Sequence, residues 1–183
     1  LATFTAFLVV PQLVKFYEKR TILLTAIALA ALIPPIPLLL FINGYLPEPG
    51  TWNLFFANIS FVYIANASLS ASSIIRESML GDISDEVELE THLGQQGLMY
   101  ASSSLIGKLN TGLGILMAGL ALEFIGFPQG SQITPSADHI FNLAMVQGPL
   151  VAALMIIPFA IFSMYKIDRF KHQEIIAELE NRS

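Results

Sequence analysis

Charged side chains along this chain fall in clusters, and between the clusters run long stretches with none: residues 21–42, 49–75 and 140–165, with 95–122 interrupted only by Lys108. These windows are 22 to 28 residues long. A hydrocarbon core about 30 Å thick needs about 20 helical residues at a rise of about 1.5 Å each, so every window can cross a bilayer as a helix. Transmembrane strands are shorter and alternate polar with apolar positions, a pattern this chain lacks. The spans expected are 21–42, 51–75, 97–122 and 140–165. A fifth apolar segment, 1–14, is too short to cross alone, and because it begins at Leu rather than Met it reads as a truncated helix of a longer chain. The fold class is therefore an all-α membrane protein with five transmembrane helices. A tail, 166–183, follows, in which Ile167, Phe170, Ile175, Ile176 and Leu179 stand amid charge as in a short amphipathic helix lying on the membrane surface.

Composition agrees: 54% of the residues are hydrophobic, 13% are charged, and the mean hydropathy is +0.65, far above what a water-facing surface tolerates. With no cysteine, neither a disulfide framework nor a thiolate metal site is available. No targeting address is readable. Lys and Arg set orientation, because short exported loops exclude positive charge whereas acidic residues contribute little. Lys15, Lys19 and Arg20 follow the first span, Arg76 the third, and Lys166, Arg169, Lys171 and Arg182 the fifth, while the alternate loops, 43–50 and 126–139, contain neither Lys nor Arg. The alternation predicts a multi-pass plasma-membrane (bacterial inner-membrane) protein with its C-terminus in the cytoplasm.

Inside the spans, Pro34, Pro35 and Pro37 must interrupt the backbone ladder of the second helix and kink it. The third carries Asn58, Ser60, Asn66, Ser68, Ser70, Ser72 and Ser73, of which Asn66, Ser70 and Ser73 share a face; they either line an aqueous cavity or the serines bond back to their own helix. Trp52 is placed to anchor a helix end at the interface. In the fourth, Gly107, Thr111, Gly114 and Ala118 form a small-residue face suited to close helix packing. Lys108 carries the most information. Entry near Gly97 puts it about 16 Å along the axis, close to the midplane, where insertion costs at least about 2.5 to 3.5 kcal/mol. Tyr100, Ser104 and Thr111 lie on its face. Either it serves transport or it pairs helices structurally. Glu123 is about 22 Å away along the same axis, and no other span contains a carboxylate, so its counter-charge is expected upstream. Between the third and fourth helices, Arg76 precedes an acidic segment in which Asp82 and Asp85 are one helical turn apart. They either bind a divalent cation or belong to a solvated or salt-bridging loop. His92, His139 and His172 stand isolated in loops or tail and read as surface residues. No nucleotide loop, nucleophile elbow or zinc spacing is present, so no catalytic residue, metal, cofactor or nucleic-acid partner is expected.

These residues also carry a resemblance. Met79-Leu80-Gly81-Asp82-Ile83-Ser84-Asp85, followed by Gly97, Tyr100 and Lys108, resembles the signature of the glycoside-pentoside-hexuronide cation symporters, the melibiose-carrier-like branch of the major facilitator superfamily. Ile125-Gly126-Phe127, the Gly148-Pro149 pair, and Tyr165-Lys166-Ile167-Asp168-Arg169 through His172 are similar as well. The resemblance implies twelve helices in two halves, of which this chain holds about the last five. It further implies a cation-coupled (Na⁺ or H⁺) sugar symporter, Lys108 close to the coupling-cation site with Ser104 as its polar neighbour, and Asp82 and Asp85 in the cytoplasmic region that closes in the outward-facing state. Gly94 and Gln96 depart from the family pattern, which commonly has an arginine and a glutamate before that helix. Most solute and cation ligands of the family lie in the N-terminal half. The partners implied are a small solute, membrane lipid and that upstream half. Two alternatives stay open: a lipid or lysolipid carrier of the same architecture, and a noncatalytic scaffold or receptor bundle.

Overall fold

A computed structural model describes residues 1–45, 51–128 and 136–180, and among them no strand occurs. Parts of the expected loops at 46–50 and 129–135, together with Arg182 in the tail, lie outside the described residues. The helices are α1 (Ala2–Phe16), α2 (Lys19–Leu32), α3 (Ile36–Ile42), α4 (Trp52–Thr91), α5 (Gln96–Phe124), α6 (Ala137–Met145), α7 (Val151–Leu154), α8 (Ile156–Ser163) and α9 (Arg169–Glu180). A π-helical turn, Val146–Leu150, joins α6 to α7. Four stretches are long and apolar enough to cross a membrane: Lys19–Phe41, Trp52–Thr91, Gln96–Phe124 and Asp138–Ser163, with Ala2–Phe16 as a shorter apolar helix. They match the three windows free of charge, the fourth that Lys108 alone interrupts, and the short first segment.

The bundle is organised around α2. Its buried residues, Ile22, Leu23, Ala26, Ile27 and Ala30, recur at helical spacing, and Ile22, Leu23 and Ile27 pack with Val10 of α1 and with Ile75 and Met79 of α4. Phe162 and Tyr165 close the same core from the end of the chain. By contrast α5 has no buried residue, and Ile115 is 71% exposed. Such a surface is ordinary where lipid or a neighbouring helix is the solvent.

One expectation is corrected here. The segment after Ile75 is not a loop: α4 continues unbroken to Thr91, and its 40 residues are about 60 Å long, roughly twice the hydrocarbon thickness. Glu, Met and Leu between Arg76 and Leu89 are strong helix formers, and no proline interrupts them. The helix stops only where His92 takes a left-handed conformation (φ 59°), with its N–H bonded to the Glu88 carbonyl. The expected third span, 51–75, is thus the first part of a helix that projects well beyond the membrane. Several polar groups of α4 bond to their own backbone: Asn58 to Leu54, Ser60 to Phe56, Asn66 to Val62, Ser68 to Ile64 and Ser72 to Leu69.

The proline break lies where the sequence places it. Pro34 and Pro35 have no N–H to offer, so α2 ends at Leu32 and α3 restarts at Ile36, leaving a turn held by the Ile36 N–H to the Ile33 carbonyl at 3.1 Å. The last span has its own break at Gly148-Pro149, within the π-helical turn. The two breaks touch. A Cβ added at Gly148 would stand 3.1 Å from the Pro35 Cα, so only glycine lets the backbones approach this closely. Gly148→Leu is expected to destabilise the protein by about 1–3 kcal/mol through overpacking. Thermal unfolding in detergent reads this, and an unchanged midpoint would mean that the two breaks are not in contact.

Candidate functional site

The extension of α4 carries Asp82 and Asp85 one turn apart to the end of the bundle where Lys and Arg gather. Asp82 is 4% exposed. Its carboxylate accepts two hydrogen bonds from the Lys19 Nζ at the start of α2, at 2.7 and 2.8 Å, and one from the Tyr165 hydroxyl at 3.1 Å. The imidazole of His172 completes the group, with Nε2 3.3 Å from Asp82 Oδ1 and 3.3 Å from Asp85 Oδ2. Asp85 also accepts from the Gln96 amide at 3.3 Å, which ties in the first turn of α5. The expectation that His172 is an isolated surface residue is therefore overturned: α9 folds back on the bundle, burying Ile167 and Ile175, and this turns the imidazole inward. Burial, with the Asp82 carboxylate alongside, pushes the Tyr165 phenol up, so it stays a donor.

The tail is fixed at further points. Helix ends leave carbonyls unpartnered and partially negative, a setting that suits a cation. Arg169 fills that role for α1, its guanidinium donating to the carbonyls of Val14 (2.6 Å), Lys15 (3.3 Å) and Tyr17 (3.4 Å), while its backbone N–H donates to Glu18 at 3.2 Å. Arg20 donates likewise to the Ser163 carbonyl at the end of α8. Lys171 pairs with Glu86 of α4, and that hydrogen bond holds its ammonium above the usual range. A small cavity of about 140 Å³ remains among Lys19, Asp82, Asp168, Arg169 and His172. Among the described residues no group of three or more His, Asp and Glu side chains is arranged to hold a metal ion.

The other residues singled out in the sequence are dispersed. Arg76 pairs with its neighbour Glu77 at 3.4 Å and donates to Ser73 at 3.1 Å. Ser70 bonds across to Thr3 of α1 at 3.1 Å, and Asn66 bonds to its own helix. Ser68, not this trio, lines an apolar cavity of about 460 Å³ between α1, α2 and α4. Tyr100 packs on α4, its hydroxyl 3.5 Å from the Glu77 carbonyl oxygen and over Gly81. Ser104, Lys108 and Thr111 continue that face along α5. Lys108 is exposed, thirteenth of the helix's 29 residues, and among the described residues no carboxylate lies within ion-pair distance of it. A Cβ at Gly107 or Gly114 would meet nothing within 4 Å, so the small-residue face is open.

Sequence reasoning missed Lys19, Tyr165 and His172 as partners of the aspartates. The alternation of positive charge did place all three on one side of the membrane, but which cation meets which carboxylate depends on packing alone.

A family model described as MFS/sugar transport protein matches residues 1–169. The chain belongs to that family, whose members are transporters rather than enzymes, and its helices form part of a major facilitator fold in a multi-pass membrane protein. An uncharacterized symporter of Synechocystis sp. is 28% identical over 143 residues, covering 74% of this chain. The chain spans only 26% of that relative's length. No solved structure matches it.

The Asp82 site predicts a particular pattern of stability. Lys19→Met leaves the carboxylate buried and is expected to cost about 3 kcal/mol, near the lower end for breaking a buried pair because the lysine side chain is itself 24% exposed. Replacing both partners, Lys19→Met with Asp82→Leu, should recover at least half of that loss. A double-mutant cycle by denaturant unfolding checks it, and a double variant no more stable than the single would refute the pairing.

Proposed function

We propose that this chain is the C-terminal part of a secondary transporter that couples Na⁺ or H⁺ to the symport of a sugar or related glycoside or sugar acid. It works by alternating access in the bacterial inner membrane, with the C-terminus in the cytoplasm. One observation carries the reading: every ion pair among the described residues lies at the basic end, where a buried carboxylate gathers α2, α4, α9 and the segment after α8. A carrier needs a closure that can be made and broken, and charge pairs across helix ends supply one without fusing the helices into a dry core. With the basic end cytoplasmic, the cluster closes the inner side while the solute site faces outward. Asp82 and Asp85 are the gate's centre, and Arg76 stands at its edge.

The solute and cation pathway runs along the face of α5 that bears Tyr100, Ser104, Lys108 and Thr111, together with Asn66, Ser70 and Ser73 of α4. Lys108 supplies positive charge near mid-membrane, and its counter-charge belongs to the upstream half of the carrier, against which the open face of α5 packs. No cofactor takes part; membrane lipid and the upstream half are the partners.

Orientation is tested by single cysteines in a background free of others. Ser136→Cys should react with an impermeant thiol reagent applied to intact cells, and Glu18→Cys and Glu88→Cys should react only after the cells are opened. Labelling of Glu88→Cys from outside would invert the topology.

Coupling is tested at Lys108. In the whole carrier, Lys108→Ala should abolish gradient-driven accumulation at near-normal membrane abundance, and Lys108→Arg should restore little, because a planar guanidinium replaces neither the compact ammonium nor its readiness to release a proton. A structural lysine gives the reverse order, with abundance falling in Ala and returning in Arg. Normal accumulation by Lys108→Ala removes the residue from coupling.

A further inference from the structure

The fold sets His172 against two carboxylates, and it does so from the tail. Its Nε2 is equidistant, at 3.3 Å, from an oxygen of Asp82 and an oxygen of Asp85. Charge-assisted N–H···O bonds are ordinarily about 2.7–2.9 Å. The hydrogen bond to Asp85 is long and so weak, and the contact with Asp82 is one of charge alone, so charge is what draws the ring in. We propose that His172 is a pH-operated latch for the tail: as imidazolium it holds α9 against α4, and as neutral imidazole it lets the C-terminal part of α9 swing away about its tethered start.

The charges around the ring decide which contact changes. From α4 it faces Asp82 and Asp85, with Glu86 and Glu90 beyond them directed at Lys171. From α2 comes Lys19, already bonded twice to Asp82. The segment between α1 and α2 contributes Glu18, which takes the Arg169 N–H, and the segment after α8 contributes Tyr165, donating to Asp82, and Asp168, accepting the Lys171 N–H. From α5 comes the neutral Gln96, bonded to Asp85. When the ring loses its proton, Asp82 keeps Lys19 and Tyr165. Asp85 keeps only an amide, and the neutral ring in its other tautomer turns a lone pair towards both carboxylates. The latch therefore acts through Asp85.

Arg169 on the end of α1 and Lys171 on Glu86 do not change over the range in which imidazole titrates, about pH 5 to 8, so the start of α9 stays tethered as a pivot. Acid on the basic side closes the latch and base opens it. A one-proton switch changes the ratio of docked to undocked tails by at most about tenfold per pH unit. Nothing in this depends on which solute is carried, so it stands or falls separately from the transport reading.

Spin labels on Ser78→Cys of α4 and Ala177→Cys of α9, both exposed positions, report the tail directly in the whole protein in nanodiscs. The distance distribution is expected to be narrow near pH 5.5 and to broaden and lengthen near pH 8.5, on either side of the imidazole range. His172→Gln should remove the pH response, Asp85→Asn should weaken it at least threefold, and His172→Lys should keep the narrow distribution at both values. A parent distribution that does not move with pH overturns the proposal, and so does a pH response that survives intact in His172→Gln or Asp85→Asn.

Discussion

A buried carboxylate has to be answered, and Asp82 is buried. Leaving such a charge unpaired costs several kcal/mol, so the elements near it are constrained to bring donors. The start of α2 must place Lys19 there, the end of the last span must place Tyr165, and α9 must fold back far enough to offer His172. Those requirements fix the relative heights of α2 and α4, and through them the shared core of Val10, Ile22, Leu23, Ile27, Ile75 and Met79. The apolar cluster lies directly beneath the charged one. Each seals the other: the core keeps water from one side of the carboxylate, and the ion pairs stop the helix ends from splaying.

Beyond this joined end the helices depend less on each other. The basic end holds α5 through Gln96 on Asp85 and Tyr100 over Gly81, but its middle and far parts expose their side chains, Lys108 included. The touching breaks at Pro35 and Gly148 lie in α2–α3 and in the last span, so both chains can bend at the same place without separating. A rigid end, a bendable middle and an unpartnered helix are compatible with the rocking of one half against another that alternating access requires.

The spans could be read from the sequence because bilayer thickness imposes a length and lipid excludes charge; those constraints act on contiguous residues. The kink at Pro34 and Pro35 was equally readable, since a missing N–H is a local fact. What escaped was whatever depends on water or on distant partners. Outside the membrane no hydropathy rule separates helix from loop, so the charged run after Arg76 looked like a connector although its residues favour helix. Lys19 is 63 residues from Asp82 and His172 is 87 from Asp85, separations at which spacing says nothing about contact. The motif around Asp82 and the run from Tyr165 to His172 were both noticed, yet nothing in either said that they meet.

The position of Arg169 bears on how the protein is made. Its guanidinium caps carbonyls of α1 that are synthesised about 155 residues earlier, and Lys171 and His172 reach back more than 80 residues to α4. Chains emerge N-terminus first. Until α9 has emerged the end of α1 stays uncapped and Glu86 has no Lys171 to meet, whereas Lys19 can join Asp82 as soon as α4 has emerged. The joined end is thus finished only once α9 has emerged, and a nascent chain cut short before α9 carries its helices in the membrane but cannot lock them.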